Sequence, residues 1–397
     1  MHLDQVAQSI TALTRTEASY AQQVVGIILD AAIDLHASDI HLQPTEEGHL
    51  LKYRIDGVLN ACTEIIRGET SDIIARLKVL AGLLTYRNDV PQEGRIRNSE
   101  VACEMRVSTF PALYGERVVV RVFREGKNYL TLNDLGLATE VENDLTHMLR
   151  ETSGLILITG PAGSGKSTTS YACLRHLVET TQGSRSLVSL EDPIEVVVPG
   201  VAQSQVNQTK EFNFATGLRS LMRQDPEVIL IGEIRDQVTA EVAMQSSLTG
   251  QLVISTFHSG SAAQSISRLI EMGIPPYMLH NSLLGVLHQR LARKLCKCSV
   301  LADQETDLGF EIEGSQQAQG CENCNGTGYH GRVLLSEWLV PNQHGMNGNN
   351  IQLTDTASIE QAAVEAGMKT RWDHAAELIR SGTTSELEIR RVLGFRS

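Results

Sequence analysis

The apolar positions change rhythm about a third of the way along the chain. Residues 20–36, YAQQVVGIILDAAIDLH, repeat apolar side chains at three- and four-residue spacing, which predicts a helix with one buried face. Two strand-like runs follow, SDIHLQP and LLKYRIDGVL, separated by the turn-rich TEEGH. SDIIARLKVLAGLLT predicts a second amphipathic helix, and GRIRN, CEMRVSTF and ERVVVRVF predict further strands. No phosphate-binding loop interrupts these elements, so residues 1–125 are expected to form one small α/β domain. The polar, glycine-bearing stretch REGKNYLTLNDLG supplies an expected linker at 126–135.

From residue 136 the strands become short, continuously apolar runs divided by helices: LILIT, SLVSLED, EVILIGE and QLVIST. Strands apolar on both faces belong to a parallel sheet covered by helices on each side. A second α/β domain is therefore expected over 136–397. It includes a cysteine-bearing, glycine-rich insert at 293–332 and a tail of short helices at 353–397 (SIEQAAVEAG, WDHAAELIRSG, SELEIRRVLG). No internal repeat is visible, and NQHGMNGNN is a polar loop.

Composition narrows the class. With 42% hydrophobic and 20% charged positions in 397 residues, the chain is neither disordered nor fibrous and is long enough for two or three domains. Lys and Arg number 34 against 47 Asp and Glu, a formal charge of −13. That balance disfavours nucleic acid as the main partner. Of seven cysteines, four cluster at Cys296, Cys298, Cys321 and Cys324, which suits a reducing compartment and a metal site better than a disulfide framework. The start, MHLDQVAQSITALTR, has no signal-peptide pattern, and no window reaches the length of a membrane span. A soluble protein that meets a membrane only through a partner is expected.

The strand LILIT runs into GPAGSGKST, residues 160–168, with Gly160, Gly165, Lys166 and Ser167 at Walker A spacing. Glycines here let consecutive backbone N–H groups face phosphates, and the following helix N-terminus adds its dipole. Lys166 would reach the β- and γ-phosphates and the Ser167 hydroxyl would bind Mg²⁺. The whole loop, Gly160, Pro161, Ala162, Gly163, Ser164, Gly165, Lys166, Ser167 and Thr168, is the candidate nucleotide cradle. Two apolar strands end in acids that such chemistry needs. EVILIGEIRD puts Glu233 at a Walker B position, and SLVSLEDPIE puts Glu191, Asp192 and Glu195 beyond another strand end. A third strand, QLVIST, leads to Thr256 and His258, candidates to sense a γ-phosphate. The absence of an NKxD motif favours ATP over GTP.

Taken in order, ASDIHLQP, YRIDGVL, PQEGRI, RVSTFPALYGERVVVR, the Walker A segment, SLEDPIE, DPEVILIGEIRD, TFHSGSAAQSISRLIEMG and CENCNGTGYHGR resemble the motor ATPases of type II secretion and type IV pilus systems. The resemblance covers most of the chain. It implies a RecA-like ATPase domain with a parallel sheet behind a small α/β domain. It implies Glu195 as the base for water, Glu191 and Asp192 nearby, Glu233 supporting Mg²⁺, and His258 at the γ-phosphate. It also implies a cytoplasmic homo-hexameric ring, peripheral at the inner membrane through a platform protein, with ATP hydrolysis driving pilin or pseudopilin assembly. In this family the N-terminal domain lends arginines to the ATP site, and Arg95, Arg106 and Arg121 lie in the matching segments. Longer members carry a further N-terminal docking domain, whereas ASDIH comes early in this sequence.

The assembly branch usually carries CxxC, a spacer and CxxC, which implies a structural Zn²⁺ site of four thiolates. Here Cys321 and Cys324 keep the CxxC spacing, but Cys296 and Cys298 are one residue closer. In an extended CxC the side chains oppose each other, so both can bind one ion only if the chain turns sharply. Retraction motors generally lack the insert, so its presence favours assembly. Two other readings stay open: a DNA-transfer or conjugation ATPase, and an ATP-sensing module without turnover.

Overall fold

The computed structural model describes residues 2–68, 72–96, 103–123, 131–207, 212–302, 312, 314–344 and 355–395. Residues 126–130 of the expected linker, most of NQHGMNGNN and the first two residues of the expected tail lie outside them. The chain divides into two units, Met1–Glu125 with Gln319–Gly331, and Gly126–Ala318 with Arg332–Ser397. Segment 319–331 thus groups with the first unit. There the Gly331 N–H donates to Asp56 Oδ2 at 2.8 Å, and His2 Nδ1 meets Asn325 Oδ1.

The first unit opens with α1 (Leu3–Thr11) and α2 (Tyr20–Asp34). Then come β1 (Asp39–Pro44), β2 (Gly48–Ile55), β3 (Val58–Ile66), α3 (Ile73–Leu80), β4 (Gln92–Ile96), β5 (Glu104–Ala112) and β6 (Gly115–Phe123). The strands form one antiparallel sheet in the order β3-β2-β1-β6-β5-β4. LLKYRIDGVL is not a single strand. Asp56 and Gly57 both take positive φ, 47° and 83°, the backbone that a two-residue hairpin turn requires, and β3 begins behind them. Asp72 caps α3 by accepting from the Ile74 N–H at 2.8 Å. The predicted helix stops early because Gly82 turns left-handed (φ 68°), and the Leu83 N–H closes the end on the Lys78 carbonyl. Alternate sheet residues, among them Leu51, Tyr53, Val118 and Val120, point inward with Ile28 and Leu77 into one core.

The second unit runs α4 (Thr139–Met148), β7 (Gly154–Thr159), α5 (Lys166–Thr181), β8 (Leu187–Glu191), β9 (Ala202–Gln205), α6 (Phe214–Leu221), β10 (Val228–Ile231), α7 (Gln237–Leu248), β11 (Leu252–Phe257), α8 (Ala262–Glu271) and α9 (Pro276–Ser282). It continues with β12 (Leu283–Leu295), β13 (Val300–Leu301), β14 (Gln316–Gln317), β15 (Tyr329–Leu339), α10 (Thr356–Glu365), α11 (Arg371–Arg380) and α12 (Glu386–Leu393). Seven strands pair in the order β15-β12-β7-β11-β10-β8-β9, and β12-β7-β11-β10-β8-β9 are mutually parallel. Every residue of β7, β8, β10 and β11 is buried, as expected for strands covered on both faces. β7 and β8 are consecutive in sequence but stand three places apart in the sheet. Their carboxyl ends therefore flank a topological switch, where open α/β sheets bind ligands. The 13-residue β12 has no strand signature in sequence; its pairing with β7 overrides the helix-like spacing of LLGVLHQRLARKL.

Candidate nucleotide-hydrolysis site

The loop between β7 and α5 is built on glycines in left-handed or steeply positive φ. Gly160 sits at φ 142°, and a Cβ there would fall 2.3 Å from the Gln289 carbonyl oxygen. Only glycine allows β12 to approach so closely. Ala162 and Gly163 form the exposed rim, Pro161 is half-buried beside them, and Ser164 is buried beneath. Gly165, at φ 91°, is the N-cap of α5, so Lys166, Ser167 and Thr168 form a helical first turn whose N–H groups are not used within the helix. Lys166 is only 9% exposed and folds back, donating from Nζ to the Gly160 and Pro161 carbonyls at 2.9 and 2.8 Å. Burial lowers its pKa, while Glu233 and Glu195 act in the opposite sense, placing both carboxylates in its electrostatic field.

The acids divide into two kinds. Glu191 is buried and fully engaged: it accepts from the Tyr171 hydroxyl, from Ser189 Oγ at 2.5 Å and from Gln203 Nε2 at 3.0 Å. Asp192 and Glu195 are exposed beyond it, with a cis peptide before Pro193. The Tyr171 hydroxyl also accepts from the Glu195 N–H at 3.1 Å. One phenol on α5 therefore ties the Glu191 carboxylate to the backbone of Glu195. Burial, then the hydrogen bond to Glu191, raises its pKa so that it stays a donor.

Glu233 follows β10 and is mostly buried. Arg235 pairs with it and lies 3.6 Å from Asp192 Oδ2, while His258 Nε2 is 3.4 Å from Glu233 Oε2. Desolvation and then Lys166 hold the His258 pKa below its ordinary value against the pull of Glu233, so the ring is neutral near pH 7. Thr256 does not face outward: its hydroxyl donates to the Gly232 carbonyl at 2.6 Å, and its carbonyl accepts from the Ile234 N–H at 3.0 Å. It braces the Glu233 loop. The structure thus brings Lys166, Glu191, Asp192, Glu195, Glu233 and His258 to the carboxyl ends of four neighbouring strands. The loop's left-handed glycines and the first-turn N–H groups suit a nucleoside triphosphate, and Ser167 and Glu233 carry hard oxygen atoms of the kind Mg²⁺ prefers.

Several participants escape sequence reasoning. Tyr171 lies inside a helix whose pattern shows only a buried face. Gln289 and His288 sit on the unannounced β12. Gln289 Nε2 donates to Thr169 Oγ1 at 2.8 Å, and His288 Nδ1 lies 3.2 Å from Thr159 Oγ1. Burial pushes the His288 pKa down to about 3, so it is a neutral strut for β7. Arg235 had one signal, its place two residues beyond Glu233.

In the first unit, Arg95, Arg106 and Arg121 are directly opposed on β4, β5 and β6, and the row continues through Asp39 on β1 to Arg54 on β2. Like charges in register repel. Each is offset by a carboxylate: Asp39 pairs with Arg121 at 3.2 Å and Arg54 at 3.3 Å, Glu104 pairs with Arg95 at 2.9 Å, and Glu93 pairs with Arg106.

The Cys296, Cys298, Cys321 and Cys324 sulfurs all lie within 4.8 Å of one another. The CxC is not extended. β12 ends at Leu295, and the Ser299 N–H closes a turn on the Cys296 carbonyl at 3.0 Å, which frees both side chains from opposite faces. In the CxxC half, Cys324 Sγ accepts from the Cys321 and Gly328 N–H groups at 3.1 and 3.2 Å and stands 3.7 Å from Cys321 Sγ. A tetrahedron with roughly 2.3 Å Zn–S bonds has edges of about 3.8 Å, so the donor set fits that ion.

The strand order β12-β7-β11-β10-β8, with a phosphate loop after β7 and acids after β8 and β10, defines a RecA-like P-loop ATPase. The chain belongs to the family described as Type II/IV secretion system protein, which matches residues 14–391. The type II secretion system protein HxcR of Pseudomonas aeruginosa is 37% identical over 396 residues, covering 98% of this chain and 81% of its own length. The type IV pilus assembly ATPase PilB of Thermus thermophilus is 36% identical over 402 residues, covering 98% of this chain but 45% of its own. Among solved structures, the pilus retraction motor PilT with bound ADP matches with a TM-score of 0.58 and 25% identity, over 92% of this chain and 95% of that one. The Legionella pneumophila ATPase DotB shares the fold, with a TM-score of 0.69 at 21% identity, over 92% and 94% of the two chains. Like its family, the chain is an ATP-hydrolysing motor enzyme of the type II secretion and type IV pilus class. No helix among the described residues is long and apolar enough to cross a membrane.

Proposed function

We propose that the chain powers pilin or pseudopilin assembly as a cytoplasmic homo-hexameric ring, held at the inner membrane by a platform protein. The carrying observation is that the nucleotide loop and its acids belong to one unit while the registered arginines Arg95, Arg106 and Arg121 belong to the other. Lys166 and the first-turn N–H groups of α5 hold the phosphates. Mg²⁺, when bound, neutralises charge on the phosphoryl oxygens, and Ser167 and Glu233 are its protein ligands. Glu195 orients the attacking water and takes its proton. His258 reads the γ-phosphate through its neutral ring, and the arginines meet the charge that develops in transfer. Glu191 and Asp192 shape the loop that carries Glu195. Relatives named for pilus assembly and type II secretion, together with the cysteine insert, support assembly over retraction.

If arginines are lent between subunits, ATPase activity per chain climbs steeply with protein concentration as the ring forms. A flat rate from a chain shown by sizing to be monomeric contradicts the ring. The four cysteines hold a structural Zn²⁺, with no open position for catalysis. Denaturing the purified protein with a chelating dye releases about one zinc per chain; a yield near zero contradicts the metal assignment.

A further inference from the structure

Two helices of the second unit begin on the same buried carboxylate. Glu337 stands on β15, outside the strand ends that carry the hydrolysis site, and is only 1% exposed. Its Oε1 accepts from the Ala262 N–H at 2.7 Å, and its Oε2 accepts from Arg371 Nη1 at 3.0 Å and from the Arg371 N–H at 3.4 Å. Ala262 and Arg371 are the first residues of α8 and α11. In each helix the hydroxyl of the N-cap residue, Ser261 or Thr370, already serves the third N–H, that of Gln264 or Asp373. The first N–H is left over by that geometry, and in both helices Glu337 takes it. The positive ends of two helix dipoles and one guanidinium thus converge on one negative charge, which is what lets a carboxylate stand so deep in the fold.

α8 in turn carries the loop that presents His258. Three consecutive loop residues are each held by a side chain of α8. Arg268 donates to the His258 carbonyl, Ser265 Oγ lies 2.7 Å from Ser259 Oγ, and Gln264 Oε1 accepts from the Gly260 N–H at 2.5 Å. Arg268 also lies over the Phe257 ring, 5.4 Å from its centroid, so its guanidinium is fixed on two sides. The loop therefore moves with α8. α11 belongs to the C-terminal tail, where Trp372, Ala375 and Ile379 pack with Ala292 and Leu335. The sensor loop and the tail are joined through one carboxylate, whose two oxygens cannot both keep their partners if α8 and α11 shift apart.

We propose that Glu337 and Arg371 are positioning residues that couple the C-terminal tail to His258, so that the placement of α11 sets how well the γ-phosphate is read. This rests on the reading of His258 given above. The measurement is the ratio of affinities for a non-hydrolysable ATP analogue and for ADP, on the full chain with Mg²⁺. His258→Ala should lower that ratio about tenfold, the scale of one hydrogen bond to a charged group. Arg371→Met removes the tail's grip on Glu337 without touching the loop, and should lower the ratio to a similar extent while leaving ADP affinity unchanged. Arg371→Lys, which keeps a donor for Glu337, should restore much of it. Adding Arg371→Met to His258→Ala should lower the ratio no further, because both act on one contact. A merely structural pair would lower Tm or both affinities and leave the ratio alone; that result, or an additive double variant, overturns the proposal. If His258→Ala itself leaves the ratio unchanged, the γ-phosphate reading fails, and the coupling is judged on the His258 ring resonances in NMR. A shift of those resonances in Arg371→Met then upholds the coupling, and unmoved resonances overturn it. Should Arg371→Met not fold because Glu337 is stranded as a buried charge, Glu337→Gln combined with Arg371→Met takes its place. Its amide oxygen keeps the Ala262 N–H, no charge is stranded, and the same fall in the ratio is expected.

Discussion

The two sheets of this protein put their chemistry in different places. In the parallel sheet of the second unit, β7, β8, β10 and β11 are buried from end to end, so their faces are closed to a ligand. Lys166, Glu195, Glu233 and His258 all lie in loops or a helix start beyond the carboxyl strand ends. The antiparallel sheet of the first unit buries one face and leaves the other to solvent, and there a row of arginines runs across the strands. A covered sheet confines chemistry to its rim, whereas a half-covered sheet offers a surface on which charge can be set in register.

The largest effect belongs to the rim. Lys166→Ala or Glu195→Gln should each lower kcat by roughly a thousandfold, the scale of removing one preorganised group from a transition state, with an unchanged far-ultraviolet spectrum. Near-normal phosphate release from either variant would break the strand-end half of the comparison. Arg106→Ala tests the face. It should cost about a hundredfold in kcat with little change in Tm, because an exposed ion pair is worth only about 0–1 kcal/mol and the substitution also relieves repulsion from Arg95 and Arg121. A melting temperature that falls while turnover persists would make the row structural. The smallest effect sharpens the rim further. Tyr171→Phe deletes the hydroxyl between Glu191 and the Glu195 backbone, and should lower kcat by about tenfold while leaving KM nearly unchanged, as expected of a group acting through another by positioning. An equal rise in KM with kcat intact would assign Tyr171 to binding instead.

Much of this was readable from residues in order. The nucleotide loop, the acids after two apolar strands and the cysteine spacing are local patterns, because a phosphate cradle or a thiolate turn is made by neighbours along one stretch of chain. Tyr171, Gln289 and His288 were not readable. Their roles come from partners tens to more than a hundred residues away, Glu191 for the first, Thr169 and Thr159 for the others. The same holds for Thr256: its position at a strand end suggested a sensor, but its hydroxyl is taken by the Gly232 carbonyl on the neighbouring strand loop.

Sequence alone determined the parallel sheet of the second unit, the phosphate loop and the candidate groups around it, since periodicity and short motifs are set by local backbone geometry. Tertiary structure alone decided which carboxylate is committed to holding the loop. It also turned the shortened CxC so that four sulfurs meet, and aligned three arginines from separate strands in one row. Each depends on strand register and long-range pairing, which no local pattern encodes.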